Sequence, residues 1–175
     1  MSFKISHGIF KNYTGSSTIF SSSELVTTTI SGPSDNLKRD DCYDSLTIET
    51  KVRLFPQCRP FDSMAVGIVN KILDTFVLKE VEKFRSISIS VYTNTRNLSM
   101  ICNSVLIACL DGGIPLKSMF YSVGSSDLFV FSSGKIVLYH CFGYIDDEMS
   151  NKRQKELAHI KECIDFAMAD VFTIA

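Results

Sequence analysis

Hydrophobic and polar positions alternate along most of the first 55 residues, which is typical of β-strands. The segment GSSTIFSSSELVTTTISGP (15–33) predicts two short strands around a Ser-rich turn, ending at a Gly-Pro pair. After a charged loop, LTIETKVRLFP (46–56) alternates again and predicts a third strand that ends at Pro56. The amino-terminal third of the chain is therefore expected to be β structure.

The next apolar residues recur with helical spacing. From Met64 to about Val81 they form one stripe, and Asp62 or Ser63 is positioned to cap the helix that this stripe predicts. A strict alternation over 86–92 then predicts a strand. A second helix is expected from about 97 to 111, because Gly112-Gly113 can supply a positive-φ C-cap and Pro115 blocks continuation.

The carboxyl-terminal third returns to β structure and ends in a helix. We expect a strand over 116–124, and then a hairpin over 127–143 whose turn is 132–135. From about Asp146 an amphipathic pattern predicts the last helix. The order β-β-β-α-β-α-β-β-β-α indicates an α+β fold, a mixed β-sheet packed with three main helices, in a single domain over 1–175.

Composition narrows the classes of partner. Hydrophobic residues make up 45% of the 175, which hints at surfaces that contact other proteins, and no apolar run reaches the length of a membrane span. The start MSFKISHGIFKNYTG has no apolar signal core, so we expect an intracellular protein that binds no membrane. A net charge of −1 excludes a global basic field, so any nucleic-acid contact must come from a few placed cations.

The six cysteines are scattered and form no C-x-x-C pair. The three histidines are far apart and belong to no motif. We therefore expect free thiols, no metal site and no cofactor.

Several strings, in this order, resemble the RNase PH-like family. The segment 15–33 is similar to the family's opening hairpin, and 46–56 to its next strand. The stretch SISISVYTNTRNLSMICNSVLIACLDGGIPLKSM (86–119) resembles its strand, phosphate-binding loop, long helix and Asp-Gly-Gly-Ile-Pro exit. The resemblance covers roughly residues 5 to 174 and implies an RNase PH-like fold. Within the family, the chain resembles ring subunits of the eukaryotic RNA exosome more than the bacterial enzyme.

The resemblance directs attention to one loop. Active family members hold phosphate with a Gly-Gly-(Thr/Ser)-Arg loop at a helix N-terminus. Here the loop reads Thr93-Asn94-Thr95-Arg96, so Thr95 and Arg96 match while side-chain-bearing residues replace both glycines. Two interpretations stay open. In the first, Thr95 or Asn97 caps the helix and Arg96 is an ordinary surface cation. In the second, the loop retains a contact to free phosphate or to an RNA phosphate.

The resemblance also implies a pair of aspartates, and only the later one is matched. Asp127 aligns with it, whereas the segment that should carry the earlier one is missing. A single carboxylate is a poor acid or metal site, so Asp127 is a vestigial catalytic candidate and is expected to be a turn residue. The remaining phosphate or RNA-binding candidates are Arg59, Lys38, Arg39 and Arg53, each of which also fits a solvated surface charge.

These departures favour a non-catalytic subunit of the exosome core ring, located in the nucleus and cytoplasm. Its expected partners are other RNase PH-like ring subunits, with single-stranded RNA a further candidate in the assembled ring. The main alternative is an active phosphate-dependent 3′-to-5′ exoribonuclease whose site a partner subunit completes. A stand-alone module of the same fold, unrelated to RNA, is the third class.

Overall fold

A computed structural model describes residues 3–35, 45–83, 85–124, 127–140 and 147–169. Within these residues the chain forms eight strands and three helices. The strands are β1 (Lys4–His7), β2 (Gly15–Ser21), β3 (Glu24–Asp35), β4 (Thr47–Leu54), β5 (Arg85–Thr93), β6 (Tyr121–Val123), β7 (Leu128–Ser132) and β8 (Lys135–His140). The helices are α1 (Arg59–Phe76), α2 (Leu98–Asp111) and α3 (Asp147–Ala167). The predicted order was wrong in one respect, because β1 adds a strand at the start.

The larger sheet has five strands in the order β1-β2-β3-β5-β4. Its neighbours are antiparallel except for β4 and β5, which are parallel and joined through α1. A parallel pair needs such a crossover, since a tight hairpin can join only antiparallel strands. The mixed sheet expected from the sequence is therefore present.

Helix α2 is buried along nearly its whole length because sheet lies on two sides of it. It packs against β2 and β3 of the larger sheet and against β6 and β7 of the smaller one. Small residues allow its close approach: the Ser104 hydroxyl lies 2.8 Å from the hydroxyls of both Ser17 and Thr28. A Cβ on Gly15 would stand 2.2 Å from the carbonyl oxygen of Ala108, so this position requires glycine.

The smaller sheet has the order β6-β7-β8, and all of its pairs are antiparallel. Its hairpin turn is at the predicted place, and Ser133 and Gly134 both have positive φ there. Helix α3 packs against β6 and β1. The phenol of Tyr121 donates a 2.9 Å hydrogen bond to Asp165 on α3, and burial together with this carboxylate raises the Tyr121 pKa.

The predicted bounds of two elements were wrong. The first helix runs over 59–76 and not 64–81, with Cys58 at its N-cap and Pro60 in its first turn. The expected cap Asp62 instead accepts a 3.0 Å hydrogen bond from the backbone N–H of Leu54. The strand expected over 116–124 is confined to 121–123. The second helix began and ended as expected, with Asn97 as N-cap and positive φ at Gly113.

None of the helices within the described residues is long and apolar enough to cross a membrane. Four of the six cysteines lie in the described part of the chain, and all four are free thiols. Burial raises the pKa of Cys102 and of Cys109 to about 12.

Candidate functional site

The loop between β5 and α2 is closed by its own side chains. The Thr93 hydroxyl accepts a 3.0 Å hydrogen bond from the backbone N–H of Thr95. The Thr95 hydroxyl in turn accepts one of 3.1 Å from the N–H of Asn97 and donates to Glu24 at 2.6 Å. The N–H of Asn94 donates to the carbonyl oxygen of Leu25 at 3.2 Å. Three backbone N–H groups of this loop, those of Asn94, Thr95 and Asn97, are therefore already bonded within the protein.

The two residues that replace the family's glycines have a structural role. Neither Thr93 nor Asn94 has a positive φ. The Asn94 amide bridges to the β2–β3 turn: its oxygen accepts from the N–H of Leu25 at 2.6 Å, and its nitrogen donates to the carbonyl of Ser23 at 2.9 Å. These side chains tie the loop to the neighbouring hairpin.

Asn97 is the N-cap of α2, which was one of the two capping residues expected from the sequence. The Asn97 side chain accepts from the N–H of Met100 at 3.3 Å, which satisfies one of the unpaired donors of the first turn. The Ser99 hydroxyl, on the same turn, lies within hydrogen-bond distance of both the Asn97 side-chain oxygen and the carbonyl oxygen of Gly124. The start of α2 is thereby joined to the segment that leads to Asp127.

Asp127 is bound by an arginine that the sequence did not single out. Arg153 on α3 donates to both carboxylate oxygens, from Nε at 2.9 Å and from Nη2 at 2.6 Å. Only 10% of the Asp127 side chain and 14% of that of Arg153 are exposed. Although burial opposes its charged form, the carboxylates of Glu156 and Asp127 raise the Arg153 pKa. The expectation of a simple turn residue was incomplete, since Asp127 anchors α3 to β7 through a two-bond ion pair.

The predicted cations fall into two groups. Lys38 and Arg39 lie outside the described residues. Arg96, Arg59 and Arg53 are exposed. Arg96 lies in the loop between β5 and α2, and its Nη2 is 3.8 Å from the sulfur of Cys58, in the turn between β4 and α1. Arg53 and Arg59 flank that turn, and within the described residues neither forms an ion pair.

The geometry thus combines a loop in which three backbone N–H groups are bonded, a carboxylate paired with an arginine, and three exposed arginines at one end of the sheet. No group of three or more potential metal ligands is found among the described residues. The arrangement can offer positive charge to an anion from side chains, whereas most of its backbone N–H groups are occupied.

Comparison with known proteins rests on structure, because no family model and no curated sequence matches the chain. The structure is similar to that of Rrp46 from rice (Oryza sativa), with a TM-score of 0.81 at 15% identity over 97% of this chain and 94% of that one. It is also similar to an archaeal exosome core subunit, with a TM-score of 0.70 at 10% identity over 95% and 86% of the two chains.

A third similar structure is the Archaeoglobus fulgidus exosome with RNA bound to its active site. It has a TM-score of 0.68 at 12% identity over 92% of this chain and 87% of that one. At these identities the likeness shows the fold. The α+β, RNase PH-like fold expected from the sequence, as found in exosome ring subunits, is confirmed.

Proposed function

We propose that this protein is a non-catalytic subunit of the exosome core ring that supports 3′-to-5′ RNA processing and degradation in the nucleus and cytoplasm. The observation that carries the proposal is the closed loop over 93–97. Phosphorolysis needs a preorganised anion site for the attacking phosphate. In this chain the N–H groups of Asn94, Thr95 and Asn97 are bonded to protein acceptors.

The carboxylate supports the same proposal. An acid that assists chemistry must reach the reacting atoms with a free oxygen. Both oxygens of Asp127 accept hydrogen bonds from Arg153, and the pair is largely shielded from solvent. The pairing also neutralises the charge that a metal ion would need.

The edge of the smaller sheet supports a ring role. Strand β8 lies at the edge of the described sheet, and its side chains Ile136, Val137 and Tyr139 are 40%, 46% and 62% exposed. An exposed apolar edge strand promotes pairing with other chains, and natural proteins usually protect it. We assign this edge to contact with neighbouring RNase PH-like subunits.

Co-assembly tests the ring role. The purified chain is mixed with candidate RNase PH-like ring subunits and analysed by size exclusion with light scattering. We expect a stoichiometric complex that the double variant Val137→Glu/Tyr139→Glu prevents. Val81→Glu is the matched control, because Val81 is 61% exposed in the turn after α1, away from β8. A chain that stays monomeric with every partner would contradict the proposal and favour a stand-alone module.

Phosphorolysis tests the absence of catalysis. The assembled ring and the isolated chain are incubated with single-stranded RNA and inorganic phosphate, and nucleoside diphosphates are measured. We expect no release that depends on this subunit. Release that Arg96→Ala abolishes would overturn the non-catalytic assignment and identify an exoribonuclease site completed by a partner subunit.

A further inference from the structure

One of the free thiols lies against an exposed arginine. Cys58 is half-buried in the turn between β4 and α1, where it is the N-cap residue of α1. Its side chain makes no capping hydrogen bond to the helix. Within the described part of the chain, the polar contact of its sulfur is to Nη2 of Arg96, at 3.8 Å. The thiol is therefore partly accessible and has a guanidinium beside it.

The surroundings of Cys58 carry more positive than negative charge. Arg59, the next residue, and Arg96 are both exposed, and neither pairs with a carboxylate of the described residues. The segment 50–61 contains three cationic residues and no acidic one. Carboxylates of the adjoining segments are engaged within the protein: Asp62 accepts from a backbone N–H of β4, and Glu24 accepts from a hydroxyl of the β5–α2 loop. A small anion is therefore attracted to this thiol.

The other described thiols have different surroundings. Two of them are buried within α2. Cys163 on α3 is half-buried as well, but it lies between the acidic residues Glu162 and Asp165. The nearby Lys161 lies over the ring of Tyr121, with its Nζ 6.0 Å from the ring centroid. Cys163 thus matches Cys58 in exposure and differs from it in the charge of its neighbours.

The charge around a thiol selects among the reagents that reach it. A thiol exchanges with a disulfide when its thiolate attacks one of the two sulfurs, which requires access to the thiol. A disulfide that carries carboxylates is also attracted to guanidinium groups, which bind carboxylates through two parallel hydrogen bonds. The disulfide of an anionic thiol therefore matches this site in both its reactive bond and its charge.

We propose that Cys58 forms a reversible mixed disulfide with an anionic thiol of low molecular mass, whose carboxylates bind Arg96 and Arg59. Cys58 loses its proton to solvent, and its sulfur attacks one sulfur of the incoming disulfide. A sulfur–sulfur bond forms to Cys58, the bond within the reagent breaks, and the second half leaves as a thiolate. Cys58 is thereby oxidised and the released half is reduced. The proposal depends neither on ring assembly nor on RNA.

The first test compares disulfides of opposite charge. The isolated chain is incubated at pH 8 with glutathione disulfide, which is anionic, or with cystamine, which is cationic, and peptide mass spectrometry follows each cysteine. The ratio of the anionic to the cationic rate is expected to be about tenfold higher at Cys58 than at Cys163. Differences in access largely cancel, because each thiol is compared with itself. In 1 M salt, where the Debye length is about 3 Å, the difference should largely disappear.

Two variants assign the charge preference to the arginines. Arg96→Gln and Arg59→Gln are each expected to lower the rate ratio at Cys58 about threefold and to leave the ratio at Cys163 unchanged. Arg85→Gln is the matched control, because Arg85 is an exposed arginine at the opposite end of β5 from Arg96. Thermal unfolding of each variant confirms that the fold is retained.

The second test uses alkylation, which forms a carbon–sulfur bond and releases iodide. Iodoacetate and iodoacetamide are similar in size, and only iodoacetate is charged. The ratio of the iodoacetate rate to the iodoacetamide rate is expected to be about threefold higher at Cys58 than at Cys163. Arg96→Gln should remove most of this difference.

Two results would overturn the proposal. One is a preference for glutathione disulfide over cystamine that is no greater at Cys58 than at Cys163, which would make Cys58 an ordinary surface thiol. The other is a preference at Cys58 that stays unchanged in both Arg96→Gln and Arg59→Gln, which would exclude carboxylate binding by these arginines. Neither result bears on the ring role, which co-assembly tests separately.

Discussion

The ion pair between Asp127 and Arg153 gives the sharpest test of the candidate site. Asp127→Ala removes a carboxylate that receives two hydrogen bonds and leaves a largely buried guanidinium with Glu156 as its remaining partner. Breaking a buried ion pair by removing one partner costs about 3–5 kcal/mol. Because Glu156 compensates in part, we expect the lower end, about 3 kcal/mol.

The assay is urea unfolding followed by circular dichroism. With a slope near 2 kcal/mol per molar, the loss corresponds to a midpoint lowered by about 1.5 M. Asp74→Ala is the matched control, since its ion pair with Lys79 is 62% exposed on the carboxylate side. Exposed pairs contribute about 0–1 kcal/mol, so the control midpoint should move little.

A double-mutant cycle with Arg153→Met isolates the pairwise energy, since the two single changes remove the same contact from either side. A coupling energy near zero, or an Asp127→Ala variant within about 0.5 kcal/mol of wild type, would refute the reasoning. The carboxylate would then be free for another role, and the exoribonuclease alternative would gain support.

Three further predictions follow from local geometry. Gly15→Ala should lower the free energy of unfolding by several kcal/mol, because its Cβ would meet the Ala108 carbonyl oxygen at 2.2 Å. Gly67→Ala, on the exposed face of α1 with nothing within 4 Å, should raise the free energy of unfolding by about 0.5–1 kcal/mol, measured by thermal unfolding. Asn97→Ala should cost about 1 kcal/mol in urea unfolding through loss of the α2 cap, and Asn97→Asp, which keeps an acceptor, should restore most of it. Since the pKa values of Cys102 and Cys109 are raised to about 12, both thiols should resist a thiol reagent at pH 8 until urea unfolds the chain. Because the unfolded thiols ionise first, stability should fall as pH rises above about 9. Labelling of Cys102 or Cys109 in the native protein would contradict this burial.

The features that were predictable from the sequence are those encoded within a few residues. Helix α2 carries its own start and end signals in Asn97, Gly113 and Pro115, so its bounds matched to within one residue. Helix α1 was misplaced because its N-cap, Cys58, is not among the usual capping residues and Asp62 bonds to the end of β4 instead. Strand β1 was missed because only four residues form it, too few to establish a pattern.

In the candidate site, too, features encoded by neighbouring residues were predictable from the sequence, and those that depend on distant residues were not. In the 93–96 loop, the replacement of both glycines can be read from adjacent residues, and it gave reason to doubt that the loop holds phosphate. The local hydrogen bonds of Thr93 and Thr95 agree with that doubt. Arg153, in contrast, lies 26 residues from Asp127 on an amphipathic helix, where it resembles any other solvated charge.

The hydrogen bonds that close the loop also contribute to the stability of the fold. A site that binds phosphate through the backbone must leave N–H groups unbonded until the ligand arrives, which costs stability in the empty protein. Here the Thr93 hydroxyl bonds the N–H of Thr95, and the Asn94 side chain ties the loop to the β2–β3 hairpin. Replacing both by glycine would free the N–H of Thr95 and break the side-chain link to the hairpin, but the N–H groups at 94 and 97 would stay bonded to Leu25 and Thr95. Freeing all three N–H groups therefore requires more than the changes at 93 and 94, and no single substitution in 93–96 is expected to produce a phosphate site.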